Sequence, residues 1–438
     1  MNKNLKIVIS MVAILLLGGI ILTSIFGVKN NKSQLKSAEQ ISSLVVQTDA
    51  SVSDQDDPLY MIKAFKYPED NWDEYWRFDL MSDNSLRVYL FVSNIKHKII
   101  KIPEEVNGYP VRYIADYAFS SKACEEIEIP DTVKGIGKGA FSACKNLKKI
   151  NIPNGVKEIG KDAFYGTPWY EMLNEPFSIV GDGVLIKCAA QSGSIILPDG
   201  VKYVTDVFET PRQISYVELP DTVKVIGENA FYGTGIKEID LPRSVTKIAR
   251  RAFEDSLLEN IQISKNVKAI GCCAFDGTPW FKKQLDEFVI VGDGILLAYY
   301  GDKNDIQIPS DVRYISSAFS YQKDIKSIVI PTTVSEIGEA AFYGIGISEV
   351  NIPGTVKIIH EGAFSDCKNL KKIIINEGTL ALRTYSFNGC PVEELALPAS
   401  LEELGDDFLD SIKINEKKFI LSGNSKFSSQ FILHGSMH

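Results

Sequence analysis

One fifteen-position pattern, IxIPxxVxxIGxxAF, recurs along this chain at a spacing of 22 or 23 residues. A period of that size means stacked coils, each too small to bury its own apolar face and stable only against its neighbours. The fullest copies occupy 127–141, 150–164, 217–231, 239–253, 328–342 and 350–364. The closing Phe falls at Phe119, Phe141, Phe164, Phe208, Phe231, Phe253, Phe275, Phe319, Phe342, Phe364, Phe387 and Phe408, with gaps of 21 to 23 residues except two of 44. Twelve coils follow. The two long gaps repeat each other: Thr167, Pro168, Trp169 and Gly181, Asp182, Gly183 recur 111 residues later as Thr278, Pro279, Trp280 and Gly292, Asp293, Gly294. A five-coil block with one aberrant member has been duplicated.

Each consensus position has a physical task. The alternating IxI predicts a short strand, and parallel stacking at ~4.8 Å per coil continues a sheet along the stack. Pro103, Pro130, Pro153, Pro198, Pro220, Pro242, Pro309, Pro331, Pro353 and Pro398 then stop it, because a residue without an N–H cannot extend the ladder. Val and Ile of VxxI fill the next interior face. The small Ala lets the adjacent coil approach, and Phe fills the centre, worth ~1.5 to 3 kcal/mol of burial per ring. The Gly after Ile is replaced by Ala115, Thr205, Ala249, Ser316, His360 and Arg383 elsewhere, which argues against an obligatory positive φ there.

The pattern resembles the BspA-type leucine-rich repeats of bacterial surface proteins over residues 98–414, and the TPW segment with its VGDG turn resembles an interrupting coil of that group. The resemblance implies a right-handed curved solenoid, with a parallel sheet on one face and short or helical turns on the other. It implies display on a cell surface or secretion, and action through protein or glycan contacts. Asp407 before Phe408 departs from the pattern, as do Asn376 and Ser264 in the Pro slot. A polar residue near the last coil suits a terminal repeat that faces water.

The flanks read differently. Residues 7–27 are 21 consecutive uncharged, mostly aliphatic residues after Lys3 and Lys6, enough to cross a ~30 Å hydrocarbon core as a helix. The segment is longer than a cleavable leader's core and ends in TSIFG without small-residue spacing, so it reads as an uncleaved single-pass anchor with a 1–6 cytoplasmic tail; cleavage would make the protein secreted. Residues 28–57 are polar and aperiodic, a flexible linker. An aromatic cluster and an alternating LRVYLFV run predict an N-terminal cap over 58–97, and 415–438 a C-terminal cap and tail.

Candidate chemistry is sparse. Seven Cys with no CxxC and four His support neither a disulfide framework nor a zinc site. Cys144, Cys367 and Cys390 share one slot three residues past Phe with Thr167, Thr234, Thr278 and Ile345, so the slot takes a small buried group. Cys367 and Cys390 lie in adjacent coils, near enough for a bridge. Cys272 and Cys273 precede Ala274 in a variable pair. The VGDG turns sit between apolar runs and read as hairpins rather than phosphate loops. His360 has no partnering acid or nucleophile in the repeat. GxSxG, HExxH and P-loop signatures do not occur, so no enzymatic role and no cofactor are expected. A net charge of −9 argues against a polyanion partner, nucleic acid included.

The expected working surface is the outward side of the IxI strands. Its candidate partner-binding residues are Glu128, Asn151, Tyr216, Glu218, Glu238, Asp240, Gln262, Gln307, Val329 and Asn351. Across the outward strand positions acids outnumber bases by eight to three. Twelve coils give a strip of order 50 Å, sufficient for a standard protein interface. The chain thus reads as a membrane-anchored, non-catalytic binding protein whose partner is a protein on the host or its own envelope. The alternatives are a ligand-free structural spacer and a glycan-binding module, for which only Tyr216 speaks on this face. Trp169 and Trp280 read as core fillers.

Overall fold

The computed structural model describes residues 76–81, 85–90, 98–208, 211–405 and 419–421. Residues 1–75, which include the anchor segment, the linker and the first part of the predicted cap, lie outside the described residues, as do 82–84 and 91–97 of that cap, Asp407, Phe408 and 415–438 apart from the strand Phe419–Leu421. The chain divides into two compact units. The described part of the first is essentially the strand Trp76–Leu80, whose Trp76 and Phe78 rings stack at 6.4 Å.

The second unit is a β-solenoid of stacked parallel strands. Ile99–Lys101, Glu126–Glu128 and Lys149–Ile150 pair in parallel, and the IxI strands of later coils do the same. The expectation of one sheet face needs correction, because the VxxI segment forms a second parallel ladder. Gly135–Ile136 pairs with Glu158–Ile159, and Val225–Ile226 with Lys247–Ile248. These strands are only two residues long, so the sequence shows no alternation to announce them. Between the ladders the chain turns at Pro, where the Val N–H donates to the Pro carbonyl three residues back: Val133 to Pro130, Val223 to Pro220, Val334 to Pro331.

The segment carrying Ala–Phe forms a third hydrogen-bonded column. Alternate N–H groups close turns within the coil and reach forward to the next one. Ala140 and Ser142 donate to Gly137 and Gly139, whereas Gly139, Phe141 and Ala143 donate to Lys161, Ala163 and Tyr165. This alternation needs a left-handed residue just before Ala–Phe, and Tyr117, Asp162, Asn229, Arg251, Cys273, Ala340 and Tyr385 hold φ of 53 to 59° there. The Gly after Ile has no such φ, as expected. Its reason is close approach: a Cβ on Gly160 would stand 2.4 Å from the backbone nitrogen of Lys138 in the preceding coil.

The eleven described Phe rings of the repeat are buried. They stack from coil to coil at 4.8 to 5.9 Å, as between Phe342 and Phe364 or Phe208 and Phe231. Both aberrant coils interrupt the pile. Short helices α1 (Pro168–Glu171) and α2 (Pro279–Lys282) start there, capped by Thr167 and Thr278, and place Trp169 and Trp280 against Phe164 and Phe275 at 4.9 and 4.8 Å. Each is followed by an antiparallel hairpin, Phe177–Val180 with Val184–Cys188 and Phe288–Val291 with Ile295–Tyr299, turning on positive-φ Gly181 and Gly183 or Gly292 and Gly294. The second strand of each hairpin pairs in parallel with the next coil and restarts the VxxI ladder.

Candidate interaction surface

Nine of the ten proposed strip residues are exposed; Glu128 is half-buried. Cross-strand register sets them side by side: Ser194 faces Tyr216, Ile196 faces Glu218, and Glu238 faces Asn260. The strip is not uniform. Toward the ends its charges neutralise one another across coils, through Lys98–Glu125 at 2.9 Å, Lys101–Glu128 at 3.3 Å, Lys149–Glu126 at 2.5 Å, Lys371–Glu393 at 2.9 Å and Lys372–Glu394 at 3.7 Å. Such cross-strand pairs are individually weak but remove net charge from the surface. In the middle, Lys237 pairs with Glu259 at 3.2 Å, but Glu218, Glu238 and Asp240 have no ion-pair partner among the described residues, and they border exposed Ile196 (64%) and Tyr216 (39%). Acidic charge beside exposed apolar surface is therefore concentrated at mid-strip.

The cysteines are structural in placement. All seven are free thiols, Cys367 and Cys390 included. Cys144, Cys367 and Cys390 are fully buried and donate to the carbonyls of Phe119, Phe342 and Phe364 in the preceding coil. Thr167, Thr234 and Thr278 occupy the same slot and donate to the Phe carbonyl of their own coil. In these six coils the slot holds a small buried donor, whereas Ile345 fills it with an apolar side chain. Hydrogen bonding with Cys144 and burial push the Cys124 thiol well above its ordinary range, away from thiolate reactivity. His360 contacts Glu336 at 2.9 Å beside Tyr314. No group of three potential metal ligands exists among the described residues.

Two features escaped the sequence reading. One is a basic file on the second ladder, formed by Arg112, Lys134, Lys157, Lys202, Lys224, Lys268, Arg313 and Lys357, the residues after Val in VxxI. Backbone bonds of the type Lys134 N–H to Arg112 O and Lys157 N–H to Lys134 O keep the file in register. Its signal, a cation in one slot of most coils, is hidden in the net charge of −9. The VGDG acids brace it, Asp182 pairing with Lys202, and Asp293 with Lys268 at 2.6 Å and Arg313 at 3.7 Å. The other is an opening of about 390 Å³ at the first interruption, between the coils of Phe164 and Phe208.

Two parallel ladders with a stacked Phe centre define a leucine-rich-repeat solenoid. Residues 112–210, 202–286 and 298–415 match the BspA type leucine rich repeat region in six copies, which is more than half of the chain, and the chain belongs to that family. Among solved structures it is similar to a leucine rich cell surface protein from Faecalibacterium prausnitzii, at 24% identity, covering 84% of this chain and 97% of that one, with a TM-score of 0.31. A leucine-rich repeat protein from Bacteroides ovatus matches at 23% identity over 81% of this chain and all of that one, TM-score 0.25. The pneumococcal vaccine antigen PcpA matches at 16% identity over 86% and 96%, TM-score 0.27. No curated protein matches the chain.

Proposed function

We propose that this chain is a cell-surface interaction module, held to the membrane by residues 7–27, that binds a protein partner through the middle of its IxI strip. Membership of the BspA-type family supports a non-catalytic binding role. One observation carries the choice of surface: Glu218, Glu238 and Asp240 stay unpaired beside exposed Ile196 and Tyr216, while both flanks neutralise their own charges. A partner presenting cationic side chains around an apolar contact fits that composition, an aromatic anchor within a charged rim being the common anatomy of a binding hot spot. The full chain displayed on cells should lose attachment to host cells or to its own envelope fraction, by ten-fold or more, when Glu218→Lys and Asp240→Lys are combined. Unchanged attachment to both would refute this reading.

A second reading, the rigid spacer, draws on the Phe stacking between interruptions and the cross-coil ion pairs, which stiffen the stack. It predicts tolerance of that charge reversal together with sensitivity to removal of whole coils.

A further inference from the structure

We propose that the opening at the first interruption is a glycan-binding site that takes neutral pyranose units. Room for it arises where the third hydrogen-bonded column fails. Gly139 and Phe141 donate their N–H groups forward to the next coil, but no backbone bond joins the equivalent Asp162 and Phe164 to a following coil among the described residues. The following turn, from Val201 to Phe208, is one residue shorter than its counterpart from Val223 to Phe231 and has no left-handed residue to meet them. Asp162 and Phe164 line a space of about 390 Å³, within the ~300 to 1,000 Å³ typical of ligand sites.

The walls define the ligand. Lys161 and Asp206 form a 2.7 Å ion pair across the opening, and burial pushes the Asp206 carboxyl up despite that lysine. A desolvated carboxylate with one cationic partner has lone pairs available for hydroxyl donors. Tyr170 is a fixed wall, its hydroxyl donating to the Ile186 carbonyl at 3.0 Å and its ring under the Lys187 ammonium. Tyr165 and Tyr232, 67% and 37% exposed, supply the rims; the Arg251 guanidinium lies over the Tyr232 ring at 5.0 Å, leaving that ring one face and its edge. An anionic ligand is disfavoured, because Lys161 is already paired and Asp162 adds a further negative charge. What remains is a ligand with a flat C–H face for tyrosine rings and an edge of hydroxyls that both donate and accept. A neutral sugar ring has these together, and tyrosine offers such contact at low entropic cost.

The test uses the full-length chain in a zwitterionic, sugar-free detergent on a printed array of neutral, sialylated and sulfated oligosaccharides. A set of neutral oligosaccharides should retain the chain. Tyr165→Ala and Tyr232→Ala should each reduce that retention about ten-fold, equivalent to about 1.4 kcal/mol. Tyr165→Ala should leave the unfolding midpoint unchanged, since its ring is mostly in water. Asp276→Ala, the same position in the second interruption, should change nothing, and the Glu218→Lys, Asp240→Lys pair should leave array binding intact even where it abolishes attachment. Retention by acidic sugars alone, by no sugar at all, or at full strength in both tyrosine variants would overturn the site.

Discussion

The two interruptions began as copies 111 residues apart, yet one is open and the other shut. Around the first, residues 159–208 enclose about 390 Å³; around the second, the equivalent space is about 10 Å³. Both carry the TPW helix, the hairpin and the shortened turn, so none of these decides the outcome. Side chains do. In the second copy Ser316 donates to the Ile270 carbonyl at 2.8 Å and the Cys273 N–H reaches Ser317 Oγ at 3.4 Å, drawing the two coils together. In the first copy Thr205 turns to the Leu185 carbonyl instead, and the long Lys161–Asp206 pair holds the coils apart. A broken turn column thus leaves room for a concave site between coils, and the side chains on either side decide whether that room stays open.

The largest test of that contrast is on the rings at the lips. Phe275→Ala should cost about 3 to 5 kcal/mol, the usual price of emptying a closed aromatic site, whereas Phe164→Ala should fall at or below the low end because its neighbourhood already opens to the cleft. Denaturant midpoints with unchanged m-values would establish the order. Equal losses would mean that the first opening closes in solution.

Smaller effects address the latches. Ser316→Ala leaves the buried Ile270 carbonyl without its donor and should cost about 1 to 3 kcal/mol. Thr205→Ala, at the matching half-buried position, should cost about 1 kcal/mol or less. A reversed order would show that hydroxyl latching is not what separates the copies. In a double-mutant cycle, Lys161→Met and Asp206→Asn should couple by about 0.5 to 2 kcal/mol, between exposed and buried ion pairs, and by more than Cys272 and Ser317, which meet only through a thiol–hydroxyl hydrogen bond.

Much of this was legible beforehand, for particular reasons. Each Pro turn and each Phe is fixed by one residue type with one physical task, so repetition alone revealed them, and the eleven described rings are buried as expected. The second ladder was not legible because two-residue strands beside Gly137 or Gly160 have no alternation to read. The left-handed slot was hidden because Tyr117, Asp162, Arg251 and Ala340 all adopt it; hydrogen bonds on both sides of the residue impose that conformation. The mid-strip residues were placed correctly on the surface, but the difference between flank and centre depends on which Lys meets which Glu across coils. The cleft needs still more: one residue fewer between Val201 and Phe208 carries no meaning until the forward bonds of neighbouring turns are known.

The smallest expected effect separates the acids that brace the interruptions from the acid that lines the opening. Lys202 beside Asp182 and Lys268 beside Asp293 hold both carboxyls below the usual carboxylate range. Their folded-state values lie below the unfolded value of about 4, so their stabilisation is complete above that pH and is lost as pH falls through the lower folded values. Asp206 has the opposite sign, because burial raises its carboxyl and the folded chain takes up that proton first as pH falls. A chain with Asp182→Asn and Asp293→Asn should therefore lose less stability between about pH 5 and pH 3 than the unaltered chain. Asp206→Asn should steepen the acid loss relative to that same reference. Unfolding midpoints followed across this window would read both slopes, and a steeper fall in the Asp182, Asp293 variant would show that the VGDG carboxylates do not brace the basic file.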